Sequence, residues 1–103
     1  MVDDSLPAGQ ILSQSVHAAF QFAIQHNKLT IDWFNISNYI CILETNKENL
    51  LKIIEKAKEL SIPNSIIIEP DLNNEITAIA LAPLGISKKI CSNFKLALRD
   101  VKT

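Results

Sequence analysis

The sequence has few of the residues that mark several common protein classes. Its 103 positions hold two cysteines, two glycines and one tryptophan. Cys41 and Cys91 stand apart, without the spacing of metal ligands, so we expect a reduced, buried pair in a cytoplasmic protein. The sequence offers no glycine-rich phosphate loop and no cluster of metal-binding residue types. We therefore expect neither a metal nor a cofactor.

Long apolar runs and an excess of charge of one sign are also missing. No segment approaches the roughly 18 apolar residues that span a bilayer. Asp3 and Asp4 stand where a signal peptide would carry basic residues, so we expect neither secretion nor membrane insertion. A net charge of −1 gives no global attraction to nucleic acid, so any RNA contact must be local. With 48% hydrophobic residues, the chain can form one domain over residues 1–103 with a real core.

The spacing of apolar residues predicts a small three-layer α/β domain. Helices are expected over residues 8–27, 46–60 and 87–101, and strands over residues 39–44, 65–68 and 76–82. The strands are continuously apolar, which is typical of strands covered on both faces. We therefore expect a mixed β-sheet of three to four strands, with helices on both of its faces.

Two connections carry further signals. Residues 28–37 are expected to form a loop that Trp33 and Phe34 pin to the core. Thr45 and Glu48 have the spacing of a capping box, in which each side chain satisfies the other's backbone N–H group. This box would open the second helix.

The first helix carries an uncharged polar stripe in place of the charged face that a surface helix usually shows. At about 100° per residue, the polar residues share one side of the helix. They are Gln10, Ser13, Gln14, His17 and Gln21. The opposite side is apolar, through Leu12, Val16, Ala19, Phe20 and Ala23. Such a stripe favours a site, although a lone histidine in a helix is more often packed or solvated than catalytic.

The spacing Gly9-x-x-x-x-Gln14-x-x-His17-Ala18-Ala19 resembles the opening helix of the type 2 peptidyl-tRNA hydrolases. Further matching segments follow in the family's order over nearly the whole chain. They are Leu6–Gln10, Asn46–Leu60, the strand end Ile68-Glu69, the segment 69–81 as in bacterial and phage members, and Thr77, which fits the family's active-site threonine. The sequence departs from the family in two places. Gln10 replaces the usual lysine, and the first strand of the family is expected to be almost entirely absent, because only Met1-Val2 precede Asp3.

The resemblance implies hydrolysis of the ester that joins a peptide to the 3′-terminal ribose of tRNA, without metal or cofactor. His17 would act as general base. Gln10 and Gln14 would donate hydrogen bonds to a developing oxyanion. Glu69 or Asp71 would orient the imidazole, and Thr77 would position water or substrate. Two alternatives stay open: a non-catalytic member of the fold that binds RNA or a protein partner, and a small-molecule hydrolase that uses His17.

Basic residues on the last expected helix form a second candidate surface. Lys88, Lys95, Arg99 and Lys102 would share one face, which could contact tRNA phosphates. A solvated face with no ligand is the other interpretation.

The absent first strand leads to an expectation about assembly. Without that strand, at least one apolar strand would lack a neighbour, and an unpaired edge invites pairing with another chain. We therefore expect a homodimer that covers the 76–82 strand or the polar stripe of the first helix.

Overall fold

The structure is a computed structural model that describes residues 1–99. In chain order its elements are β1 (Val2–Asp3), α1 (Ala8–Gln25), α2 (Asn27–Ile36), β2 (Leu43–Thr45), α3 (Lys47–Glu59), β3 (Asn64–Glu69), a 3-10 turn (Pro70–Leu72), β4 (Glu75–Leu81), α4 (Gly85–Ile90) and β5 (Lys95–Leu96). The five strands form one mixed sheet in the order β3-β4-β1-β2-β5. This confirms the expected three-layer α/β class. The sheet has more strands than expected because β1 and β5 span two residues each, too few to show an alternating pattern.

The first strand is present after all, and it lies at the centre of the sheet. Val2 pairs with Glu44 of β2 in parallel and with Ala78 of β4 in antiparallel orientation. The amino group of Met1 donates to the carbonyl of Ile79 at 3.0 Å, and the Ile79 amide donates back to Met1. β4 therefore has a neighbour on each side. The strand is short, as expected, with two residues, but the expectation that its loss leaves 76–82 without a neighbour is wrong.

The helices bury small and branched side chains against the sheet. α1 packs on β3 and β4, and α3 packs on β4 and β1. Ile11 and Ala18 of α1 belong to a buried cluster with Val2, while Leu50 and Ala57 of α3 belong to a second buried cluster that includes Ile79. Burying apolar area in this way supplies the main favourable free energy of folding.

The second main helix begins one residue later than the capping box predicts. The side chain of Asn46 accepts a hydrogen bond from the Asn49 amide at 2.8 Å, which makes Asn46 the N-cap. Thr45 is instead the buried last residue of β2. The predicted box between Thr45 and Glu48 is therefore wrong, because pairing with β1 holds Thr45 in the sheet.

Two segments of the first half differ from expectation. Helix one ends at Gln25, and the expected loop at 28–37 is largely the helix α2. Trp33 is half-buried and its indole N–H donates to the Tyr39 carbonyl, whereas Phe34 is exposed. Of the expected strand at 39–44, only the end is a strand, as β2 (Leu43–Thr45). Its neighbour β1 offers only two residues for pairing.

The chain after Ser87 also departs from the expected helix over 87–101. α4 ends at Ile90, and β5 follows as an antiparallel neighbour of β2. The apolar spacing fits a helix, but the hydrogen bonds available at the edge of β2 favour a strand. Residues 100–101 of the expected helix lie outside the described residues.

Both cysteines are free, as expected, but they do not form a buried pair. Cys41 is exposed, because it precedes β2 without lying in the sheet, and Cys91 is half-buried at the end of α4. Within residues 1–99, no helix combines the length and the apolar character that a membrane crossing requires.

Candidate active site

Three of the residues expected in a site meet between α1, β3 and β4. The Thr77 hydroxyl on β4 donates to Gln14 Oε1 on α1 at 2.6 Å. Gln14 Nε2 donates to Glu69 Oε2, at the end of β3, at 3.1 Å. The side chains thus form a continuous series from the sheet to the surface, which we call the Thr77–Gln14–Glu69 series.

A β-bulge directs Thr77 toward α1. Ile67 pairs with Ala78, and the next residue, Ile68, pairs with Ile76, so Thr77 has no partner on β3. In a regular strand Thr77 and Ala78 would point to opposite faces. Ala78 packs in the same cluster as residues of α1, and the extra residue turns the Thr77 side chain to this face as well.

Burial makes the hydrogen bonds of Gln14 and Thr77 necessary. Gln14 is 6% exposed and Thr77 is 1% exposed. A buried polar group without a partner is costly, so each member fixes the orientation of the next. One amide hydrogen of Gln14 is committed to Glu69. The geometry therefore favours Gln14 as a residue that positions Glu69 and Thr77, rather than as the expected donor to an oxyanion.

Glu69 is the member of the series nearest to solvent. It is half-buried, and its second oxygen accepts the Asp71 amide at 3.2 Å, so both carboxylate oxygens are held. Asp71 lies in the 3-10 turn, where its side chain is exposed. Asp71 therefore supports Glu69 through its backbone, and its own carboxylate is outside the series.

His17 lies one helical turn after Gln14 and is exposed. It lines an open groove of about 560 Å³ together with Glu69. The other walls come from Phe20, Gln21, Ile24, Gln25, Ile67, Ile68 and Pro70. Within the described part of the chain the His17 imidazole makes no hydrogen bond, so neither Glu69 nor Asp71 orients it here. The ring nitrogens are therefore accessible to a substrate in the groove.

The polar stripe of α1 divides between the sheet and the solvent. Gln21 Nε2 donates to the Ile66 carbonyl at 2.9 Å, which ties α1 to the edge strand β3. Gln10 lies exposed in the first turn, with its side chain outside the series. The side expected to be apolar is largely in solvent, with Leu12 53%, Val16 49% and Phe20 66% exposed.

The expected basic face does not exist as one helix face. Lys88 is exposed on α4, whereas Lys95 lies on β5 with its ammonium 3.6 Å from Glu44. Arg99 follows β5 and is exposed. The helix that would have aligned them ends at Ile90, and Lys102 lies outside the described residues. An RNA-binding role for these residues stays a prediction.

One charged cluster near the site was missed by the sequence reasoning. Lys47 Nζ donates to Glu75 Oε2 at 3.0 Å and to the Ile76 carbonyl at 2.8 Å, and lies 3.9 Å from Asp3 Oδ2. Asp3 is buried and also accepts the hydroxyl and the amide of Ser5. A lysine in the first turn of a helix opposes the helix dipole, and this was the signal that could have revealed the cluster.

The described residues hold no group of three or more histidine, cysteine or acidic side chains able to bind a metal ion.

Comparison with known proteins assigns the fold to a family. The family model described as Peptidyl-tRNA hydrolase PTH2 matches residues 2–97, which include every strand of the sheet. The chain belongs to this family. The resemblance found in the sequence is thus confirmed, and the match begins at the first residue of β1, the strand expected to be almost entirely absent. No curated protein matches the chain. Members of the peptidyl-tRNA hydrolase PTH2 family are hydrolases of peptidyl-tRNA.

Proposed function

We propose that this chain hydrolyses the ester bond of peptidyl-tRNA and so releases the peptide and recycles the tRNA. The observation that carries the proposal is the buried Thr77–Gln14–Glu69 series, which ends at a groove shared by Glu69 and His17. Membership of the peptidyl-tRNA hydrolase PTH2 family supplies the substrate class.

In the proposed reaction, His17 removes a proton from water, which attacks the ester carbonyl carbon. Glu69, held by Gln14, faces the same groove and stabilises the imidazolium that forms. The ester C–O bond breaks when the tetrahedral intermediate collapses, and the imidazolium returns the proton to the ribose oxygen. Gln10 offers an uncharged amide to the substrate carbonyl or phosphate, where the family's lysine would offer a charge. An imidazole base activates water without a metal, so the proposed reaction is metal-independent.

The second candidate function is binding of RNA or a protein partner without catalysis. Gln10 favours it, because loss of the lysine charge weakens electrostatic stabilisation of an oxyanion. A single assay separates the two: release of tRNA from an N-acetylated aminoacyl-tRNA, with binding to the same tRNA measured in parallel. Release that H17A abolishes, and that a change of the exposed Ser13 on the same helix (S13A) leaves intact, supports the hydrolase. Binding without release supports the second candidate, and the absence of both excludes tRNA as the ligand.

The proposed partner is therefore tRNA, and the proposed location is the cytoplasm, where peptidyl-tRNA arises. Lys88, Lys95 and Arg99 are the candidate contacts to phosphate. Each is exposed, although Lys95 also pairs with Glu44.

We also propose a homodimer, through a surface different from the one expected. β4 has both neighbours, but the exposed side of α1 presents Leu12, Val16, Phe20 and Ile24 at a spacing of four residues. Phe20 and Ile24 also line the groove, so the second copy would lie at the edge of the groove. α1 contains no Asp, Glu, Lys or Arg, so two copies can meet there without burying a charge. Light scattering should give twice the chain mass for the wild type and the chain mass for F20E. A wild-type monomer at micromolar concentration would exclude the homodimer.

A further inference from the structure

The bulge that directs Thr77 toward Gln14 interrupts the pairing of β4 with β3 at a single residue. On the β3 side, the register passes from Ala78 to Ile76 and omits Thr77. On the β1 side, the pairing recorded among the described residues ends at Val2 with Ala78. Thr77 is therefore unpaired with β3, while Ile76 and Ala78 on either side of it are paired there, and the direction of its side chain depends on how the Ile76 carbonyl just before it is held.

Lys47 adds a contact to this carbonyl from outside the sheet. Its ammonium binds the carbonyl of Ile76, the residue that precedes Thr77, at 2.8 Å. The same ammonium binds the carboxylate of Glu75 and lies near that of Asp3 at the end of β1. One side chain of α3 thus joins the last residue of β1 to the first two residues of β4.

The position of Lys47 is unfavourable unless these acceptors are present. A positive charge in the first turn of a helix faces the positive end of the helix dipole. The Asp3 carboxylate is buried with its side chain 6% exposed, and a buried carboxylate requires donors or a positive charge nearby. The Lys47 ammonium and the Asp3 carboxylate therefore stabilise each other. The same ammonium binds the carbonyl of Ile76, the residue just before the bulge.

We propose that Lys47 is a positioning residue for the site: by holding the Ile76 carbonyl, it keeps the bulge in the geometry that directs the Thr77 hydroxyl to Gln14. Lys47 touches neither the groove nor the series itself. It acts through Thr77 and Gln14 on Glu69. The effect on catalysis rests on the proposed function, whereas the effect on side-chain geometry does not.

The geometry is tested by NMR on the wild type, K47M, K47R and T77V. The Gln14 side-chain amide reports the series, and T77V gives its signals when the Thr77 hydrogen bond is lost. We expect K47M to move the Gln14 Nε2 signals toward their T77V positions and to speed hydrogen exchange of the Ala78 amide. K47R should stay close to the wild type, because it retains a charged donor. The control is K52M, which removes an exposed lysine of the same helix that pairs with Glu48.

A folded K47M with wild-type Gln14 signals would overturn the proposal. If K47M does not fold, E75Q weakens the same contact from a residue whose side chain is 61% exposed. E75Q should then give intermediate Gln14 signals, and unchanged signals in E75Q would overturn the proposal equally.

The kinetic test uses hydrolysis of an N-acetylated aminoacyl-tRNA. We expect K47M to lower kcat by up to about 100-fold with little change in KM, since a small displacement of a positioned group has effects of this size. The double variant K47M/T77V should be no slower than T77V, because both changes act on one hydroxyl. Additive losses would contradict action through Thr77. An inactive wild type would refute the proposed function and leave the NMR result to decide the role of Lys47.

Discussion

The Thr77 hydroxyl donates to the side-chain carbonyl of Gln14 across 63 positions of sequence, at 2.6 Å and in a buried environment. The bond joins β4 to α1 at the point where the bulge breaks the regular pairing with β3. Because Gln14 also donates to Glu69, the hydrogen bond between Thr77 and Gln14 influences the position of Glu69 in the groove. The site and the packing of α1 therefore depend on the same contact.

The first prediction is that T77V destabilises the protein and lowers activity. Valine has nearly the shape of threonine, so the variant keeps the packing and leaves Gln14 Oε1 buried without a donor. An unsatisfied buried polar group costs about 1–3 kcal/mol of unfolding free energy. Urea unfolding measures the loss, and T77S, which retains a hydroxyl, should recover most of it. Equal stability of T77V and the wild type would show that the bond contributes nothing to the fold.

The second prediction concerns Gln10, which is exposed in the first turn of α1. Q10K restores the charge typical of the family, at a cost to stability within about 0.5 kcal/mol because the side chain is solvated. We expect kcat/KM on peptidyl-tRNA, or affinity for tRNA, to rise, and the rise to shrink as salt increases. The matched uncharged control is Q10M. A fall in both quantities would indicate that position 10 is adapted to another ligand.

The third prediction concerns the three exposed basic residues. Changing Lys88, Lys95 and Arg99 together to glutamine should weaken tRNA binding and flatten its salt dependence. Each phosphate contact contributes about 0.7 to 0.9 to the slope of log affinity against log salt. The control changes Lys52, Lys56 and Lys58 of α3 to glutamine, which alters net charge equally at another surface. If both triple variants lose the same slope, the effect is one of net charge, and the three residues are not specific contacts.

The sequence predicted the fold class because the order of its long elements could be recognised, although α1 leaves much of its expected apolar side in solvent. α3 is the clearest case, with Leu50, Ile53 and Ala57 buried. The prediction missed β1 and β5. Each spans only two residues and is stabilised by strands far along the chain, so no local pattern marks it. The segment after Ile90 was also predicted wrongly, because its pairing with β2, which is distant in sequence, produces β5 in place of the expected helix.

Part of the candidate site was predictable for the same reason. Gln14 and His17 share a stripe because helical spacing is fixed, and Glu69 follows a strand that could be recognised. The link between Gln14 and Thr77 could not be predicted, because a bulge adds one residue and reverses the face that alternation assigns. The cluster of Lys47, Asp3 and Glu75 depends on the sheet order, which the sequence did not reveal.

The last prediction is that two ionisable groups, the buried Met1 amine and the half-buried Cys91 thiol, make the unfolding free energy of the 103-residue chain greatest between about pH 8 and pH 9. Burial lowers the pKa of the Met1 amino group from its ordinary value of 8.0, a shift that nearby cysteines partly oppose. Burial raises the pKa of the Cys91 thiol from its ordinary value of 9.0, a shift that the Met1 amino group partly opposes.

The two shifts act on opposite sides of this window. Below pH 8 the unfolded chain binds a proton at Met1 more readily than the folded chain, so stability rises as the pH approaches 8. Above pH 9 the unfolded chain releases the Cys91 proton first, so stability falls. Each pKa unit of difference at the buried Met1 amine changes the unfolding free energy by about 1.4 kcal/mol across the lower limb, and solvent screening makes the corresponding change at the half-buried Cys91 smaller. Urea unfolding from pH 6.5 to pH 10 measures both limbs. Acetylation of the amino group should remove the lower slope, and C91A should remove the upper one. A lower limb that survives acetylation would assign it to another titrating group and would contradict the role of the buried Met1 amine.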